Sequence, residues 1–161
     1  MIVFRPGAGF MFSHPAHAIA FGFGIGLAPV APGTAGTALG WAIGAALGGL
    51  HPGIFLFVAL AGFVLGLWAC EVTGRHLGIA DHGAMVWDEM VAFLLVLAIV
   101  PRELAWQAAA FAAFRVFDIA KPPPIRHLER RYGGGLGVML DDIVAAAYAL
   151  LALAAVKRLL F

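Results

Sequence analysis

The chain has 161 residues, of which 63% are hydrophobic and 12% charged, with a formal net charge of +1 at pH 7 and a mean hydropathy of +0.97. A typical soluble domain carries roughly 25% charged residues, so this composition argues against a water-soluble globular protein and places the chain in a bilayer. A single cysteine, Cys70, excludes an intrachain disulfide, and nothing in the charge balance suggests nucleic acid as a partner.

From Pro6 to Cys70 there is no Asp, Glu, Lys or Arg, enough chain for more than one crossing at about 20 residues each. Arg5, the apolar stretch behind it and Ala16-His17-Ala18 imitate a secretory signal. More apolar sequence follows instead of a polar mature domain, so the segment is expected to be retained. Residues 10–28 are interrupted by Pro15, Gly22, Gly24, Gly26 and Pro29. They fit a re-entrant or interfacial helix as well as they fit a further span.

Five helical spans follow, bounded by Pro, Gly and charge: 35–50, 54–70, 83–100, 104–120 and 136–156. The expected fold is therefore all-α, a polytopic membrane bundle that forms one membrane-embedded domain over residues 1–161. Within the first span Gly36, Gly40, Gly44 and Gly48 recur every fourth residue, and Gly62 and Gly66 repeat the spacing in the second. Small residues so spaced let helices approach closely, here to pack within the chain rather than to dimerise.

If each span crosses once, the polar segments around 29–37, 71–89 and 115–142 share one face. That face carries Arg75, Arg115, Lys121, Arg126, Arg130 and Arg131, which the positive-inside rule assigns to the cytoplasm, with Lys157 and Arg158 on the other side. Residues 125–132 read as an interfacial basic helix for anionic lipid.

Ionisable groups in spans are costly, yet here they gather at one end. Asp88 and Glu89 open the third span, Arg115 and Asp118 close the fourth, and Asp141 and Asp142 open the fifth. Acids at helix N-termini gain from the helix dipole, which accounts for part of the set but not for Asp118 near a C-terminus. Arg115 and Asp118, three apart, share a helical face, and Pro122 is expected to hold Lys121 extended. Carboxylates from three segments, with no thiolate or histidine set, suit a hard cation such as Mg²⁺, and the neighbouring Arg and Lys suit phosphate oxygens. The combination describes a metal-assisted phosphoryl site.

Two glycine loops add to it. "APVAPGTAGT" (28–37) opens a span with Gly33, Thr34 and Thr37, an arrangement able to hold an anion at a helix N-terminus and equally that of a capped turn. "GGGLGVMLDD" (133–142) joins glycines to a helix start bearing acids, allowing close approach to a ligand or simple linker flexibility. His82 is a candidate acid, base or ligand; His14, His17, His51, His76 and His127 receive no role. Cys70 and Arg75 stand too close together in sequence for a thiolate phosphatase loop.

The four stretches "GLAPVAPGTAGT", "DHGAMVWDE", "FRVFDIAKPPPI" and "GGLGVMLDD" together, in this order and spacing, closely resemble the phosphatidylglycerophosphatase A family. The resemblance implies a bacterial inner-membrane, Mg²⁺-dependent enzyme that removes the terminal phosphate of phosphatidylglycerophosphate, with its site toward the cytoplasm. The family's acidic positions fall on Asp81, Asp88, Glu89, Asp118, Asp141 and Asp142, and its basic ones on Arg115 and Lys121. Two positions depart from the pattern. Gly133 stands where a histidine is common, and Pro123 replaces a tryptophan.

On this reading Asp88, Glu89, Asp118, Asp141 and Asp142 supply the Mg²⁺ ligands, and Asp81 or His82 handles protons. Arg115 and Lys121, with Gly33, Thr34 and Thr37, hold the phosphate. The nucleophile is a water or a carboxylate, Asp88 or Asp118 among the candidates. The alternative is a small cation transporter or channel, which predicts acids distributed through the membrane depth.

Overall fold

The computed structural model describes residues 6–125 and 131–160, and among these every regular element is helical. The proline-rich start yields no span. It breaks into α1 (Ala8–Phe12), α2 (Pro15–Ala20) and a 3₁₀ helix (Gly22–Leu27). Pro15 starts α2, and positive φ at Gly22, Phe23 and Gly24 kinks the chain out of any continuous helix. The described residues of this segment thus form no continuous helix long enough for a further crossing.

The main helices are α3 (Pro32–Leu47), α4 (Pro52–Leu77), α5 (Trp87–Leu97), α6 (Leu104–Ala120) and α7 (Gly134–Leu160). Three boundaries differ from the sequence-based reading. α4 runs through Glu71 to Leu77, because the Glu71–Arg75 pair (2.6 Å) continues the helix until Gly78 closes it at φ 70°. α5 begins only at Trp87, since residues 81–86 form a turn that ties back to α2 through Val86 N–H donating to Ala20 O (2.8 Å). Lys121 is not extended; it lies in the left-handed region at φ 42°, ψ 61°, and its N–H donates to Phe117 O. A following proline disfavours right-handed helix, and this left-handed cap is another way to obey it.

α4 and α7 are each long and apolar enough to cross a membrane, and only 22% of the apolar window of α4 is buried, unlike the core helix of a soluble protein. Its outer face bares Ile54, Phe57, Leu60 and Val64. About five spans were expected, several of them short for a full crossing, and only two of the described helices reach crossing length. α3, α5 and α6 have 16, 11 and 17 residues, short of the roughly 20 that a crossing takes.

α5 is the hub. Trp87, Asp88, Val91, Phe93 and Val96 are all buried, and the helix feeds two apolar clusters, one shared with α2 and α4, the other with α6 and α7. α3 runs parallel to it at very short range. A Cβ on Gly36 would stand 2.6 Å from Val86 Cβ, and one on Gly40 2.6 Å from Met90 O; Gly44 faces Leu97 in the same way. The glycine stripe therefore packs helices within the chain, as expected. α4 runs antiparallel to α5, with Trp87 Nε1 donating to Gly62 O (2.9 Å). α7 runs antiparallel to both α4 and α6, through Gly66–Met139 and Phe117–Tyr148 contacts. This arrangement starts α3 and α5 and ends α6 beside the eighth and ninth residues of α7, which are Asp141 and Asp142.

Candidate metal and phosphate site

Three carboxylates converge where those helices meet. Asp88 and Glu89 occupy the first turn of α5, Asp142 faces them from α7, and one oxygen from each lies within 4.8 Å of the others. Asp88 and Asp142 are 5% and 3% exposed. Asp88 Oδ1, Glu89 Oε2 and Asp142 Oδ2 are fully enclosed and have no hydrogen-bond partner among the described residues. Buried carboxylate oxygens without donors are expensive, and one unpaired oxygen from each of three residues is the donor set a hard divalent cation takes. The residues present therefore fit Mg²⁺.

Around this acidic centre stand two cations, each held by its own acid. Arg115 Nη1 is 2.6 Å from Asp118 Oδ2, one turn along α6, and 3.6 Å from Glu89 Oε1. It also donates to Thr37 Oγ1 at 3.4 Å, while the Thr37 hydroxyl donates to Gly33 O at 2.9 Å. Lys121 Nζ donates to Asp141 Oδ2 at 2.6 Å and lies 3.5 Å from Asp81 Oδ2. Asp141 Oδ1 in turn accepts the Asp142 N–H at 3.0 Å. The left-handed turn at Lys121 matters here, because it ends α6 with the side chain against α7.

The sequence-derived residues are thus brought together, with different partners. Asp118 and Asp141, expected among the metal ligands, each pair with a cation at 2.6 Å, whereas Asp88, Glu89 and Asp142 each keep one oxygen without a partner, Glu89 meeting Arg115 through its other oxygen at 3.6 Å. Gly33 makes room: a Cβ there would collide with Glu89 Oε1, so the Glu89 carboxylate rests on the positive N-terminal turn of α3. Thr37 is fully buried and fixes Arg115, and Thr34 is half-buried on the same turn. His82 lies beyond Asp81, on the wall of a neighbouring cavity. Of the expected basic helix at 125–132, residues 126–130 fall outside the described residues.

Two features escaped the sequence reading. Glu71, taken as a span boundary, accepts the Gly135 N–H at 2.7 Å and so holds the N-terminus of α7. Gly134 and Gly135 are not slack linker, since a Cβ on either would strike the Glu71 carboxylate or Leu67 O. An acid one helix turn before Arg75 was the available signal for a continuing helix, but its partner lies 64 residues away. The second is a histidine pair. His17 Nε2 and His76 Nδ1 are 2.8 Å apart, and His17 Nδ1 is 3.0 Å from Phe10 O. Since a carbonyl only accepts, Nδ1 of His17 carries the proton and its Nε2 accepts from His76. Nothing in the spacing of these histidines announced it.

The model of the phosphatidylglycerophosphatase A family matches residues 18–157. The chain belongs to the phosphatidylglycerophosphatase A family. A phosphatidylglycerophosphatase A of Haemophilus influenzae is 44% identical over 147 residues, covering 89% of this chain and 90% of the relative. That of Escherichia coli K12 is 39% identical over 134 residues, 83% and 78% of the two chains. A putative phosphatidylinositol-3-phosphatase of Bacteroides thetaiotaomicron is 40% identical over 147 residues, 86% and 91%. No solved structure matches. Family membership makes the chain a phosphatase, a phosphoric monoester hydrolase, and disfavours the transporter alternative. Bacterial relatives and two apolar helices fit a membrane-associated enzyme.

Proposed function

We propose that this phosphatase is a Mg²⁺-dependent phosphatidylglycerophosphatase of the bacterial inner membrane, releasing phosphate from the headgroup of its lipid at the cytoplasmic surface. The observation that carries the reading is the triad of unpartnered oxygens on Asp88, Glu89 and Asp142, with Arg115 beside Glu89 and Lys121 on Asp141, next to Asp142 in sequence. In this reading α4 and α7 cross the bilayer and the shorter α3, α5 and α6 complete a multi-pass bundle behind them. The excess of Arg and Lys at the site end sets its orientation.

Asp88, Glu89 and Asp142 would hold the metal, which would supply Lewis-acid stabilisation of negative charge on the phosphoryl group. Arg115, fixed by Asp118 and Thr37, presents its guanidinium to the phosphomonoester, and Lys121, steered by Asp141, neutralises it from the α7 side. Gly33 and Thr34 add the first-turn amides of α3. Asp81, at the rim beside Lys121, is placed to exchange a proton with the leaving glycerol oxygen or with water.

The test is phosphate release from phosphatidylglycerophosphate by detergent-purified wild type and by Asp88→Asn and Asp142→Asn. Loss of turnover in both, with unchanged helical circular dichroism, supports the assignment. Wild-type turnover in either removes it.

A further inference from the structure

The short elements before α3 form no span, yet they present large apolar side chains without cover. Phe23 is 70% exposed and Val30 79%, and Ile25 between them is exposed as well. No Asp, Glu, Lys or Arg occurs between Pro6 and Cys70, so this surface offers a charged partner nothing to pair with. The backbone holds it in place at a cost. Phe23 and Ala31 lie at φ 54° and 47°, a region that glycine and, less often, asparagine adopt without strain. Strained residues therefore bracket 24–30 and fix a bare phenylalanine and a bare valine at its two ends, an outlier that asks for a function.

Two contacts set the depth of this segment. Phe23 meets Trp87 edge to face with ring centroids 6.1 Å apart, and the same indole donates to Gly62 O, the eleventh of the 26 residues of α4. His14 of α2 packs on Trp68 at 6.1 Å, and Trp68 is itself exposed, as are Val64 and Leu65 one turn before it on the same face of α4. Gly62 and Trp68 are about 9 Å apart along the helix. The segment thus lies against the apolar stretch of α4, not beyond its end, and whatever covers the outer face of α4 continues across it.

We propose that residues 22–31 form a lipid-docking surface, with Phe23, Ile25 and Val30 set among acyl chains at the headgroup boundary of the bilayer, over which the substrate lipid reaches the phosphate site. Val30 stands three residues before Gly33, which Glu89 and Arg115 face, and three residues span at most about 10 Å. A lipid whose acyl-bearing glycerol rests beside Val30 therefore has its terminal phosphate within reach of Arg115. The inference goes beyond the phosphatase reading above and rests on it only for the kinetic part of its test.

The experiment places single cysteines in a Cys70→Ala protein, as Phe23→Cys and Val30→Cys. Each is labelled with the environment-sensitive fluorophore nitrobenzoxadiazole and reconstituted into vesicles of phosphatidylcholine and phosphatidylglycerol. Lipids spin-labelled on their acyl chains should quench both fluorophores, and aqueous iodide neither. Iodide quenching of either label overturns the proposal, and so does protection of either from both quenchers, which would put a second copy of the chain on this face. For the kinetic part, Phe23→Asn tolerates the left-handed turn and removes the ring. It should raise KM about tenfold for long-chain phosphatidylglycerophosphate in vesicles at unchanged kcat, and turn over a short-chain, monomerically dissolved form as wild type does. An unchanged KM on vesicles, or equal losses on both substrates, overturns the docking role. Turnover of neither substrate by wild type would end the phosphatase reading, while the quenching result would still decide the lipid contact.

Discussion

The Glu71 carboxylate of α4 accepts the backbone N–H of Gly135 at 2.7 Å, so one acidic side chain holds the start of the helix that carries Asp141 and Asp142. The other Glu71 oxygen pairs with Arg75 at 2.6 Å, one turn further along α4. Glu71→Ala should lower the melting temperature by the equivalent of about 1 kcal/mol, the usual cost of a lost helix cap. It should also raise the Mg²⁺ concentration needed for half-maximal turnover. Glu71→Gln, which still accepts the bond, should recover most of both. Equal defects in the two variants would mean that the contact does not set the position of α7.

Close approach of α3 to α5 makes a second prediction. Gly40→Ala would drive a methyl into Met90 O and should cost about 1 to 3 kcal/mol. Gly49→Ala, with nothing within 4 Å of the added Cβ, should be neutral. Thermal denaturation in detergent compares them, and a neutral Gly40→Ala would contradict the packing register.

Arg115 and Asp118 should behave as one unit. Arg115→Lys loses the planar fork and should reduce kcat/KM about 100-fold. Asp118→Asn leaves Arg115 with Glu89 and Thr37 alone and should cost less. The double variant should be little worse than Arg115→Lys, because residues in one ion-pair network are not additive. Fully multiplicative losses would assign Asp118 an independent role, as a metal ligand.

His17 joins α2 to the end of α4. Burial, followed by the Phe10 carbonyl acting the other way and then by His76 and His14, leaves its pKa below the ordinary value of 6.5. A histidine with a depressed folded pKa binds protons more readily when unfolded. Its contribution is therefore present above about pH 6.5 and lost as pH falls below that. Melting temperature should fall between about pH 7 and 5, and His17→Gln should flatten that slope. An unchanged slope in the variant would place the acid sensitivity elsewhere.

Much of the site was readable because its chemistry is costly in an apolar chain. Asp88, Glu89, Arg115, Asp118 and Asp142 stood out at the ends of apolar stretches in a chain only 12% charged, and the parity of the spans put them on one layer. Helix lengths were harder. Hydrophobicity does not mark where Pro, Gly and polar residues hand over from helix to turn, so 83–86 was read as helix and 71–77 as loop. Which acids pair with Arg115 and Lys121 was invisible as well. Whether Asp118 or Asp142 meets a cation depends on the rotation of α6 against α7, which packing of Phe114, Phe117 and Tyr148 decides and spacing alone does not. The Glu71–Gly135 bond and the His17–His76 pair join segments far apart in sequence, and neither has a local signature.

The most direct test of the central claim is a Mg²⁺ titration of phosphate release from phosphatidylglycerophosphate by the purified wild-type protein, with an EDTA-treated sample as its zero point. The account predicts saturable dependence on Mg²⁺, no turnover in EDTA, and restoration when the metal is added back. Undiminished phosphate release in EDTA would contradict it, because the unpartnered oxygens of Asp88, Glu89 and Asp142 would then serve something other than a metal.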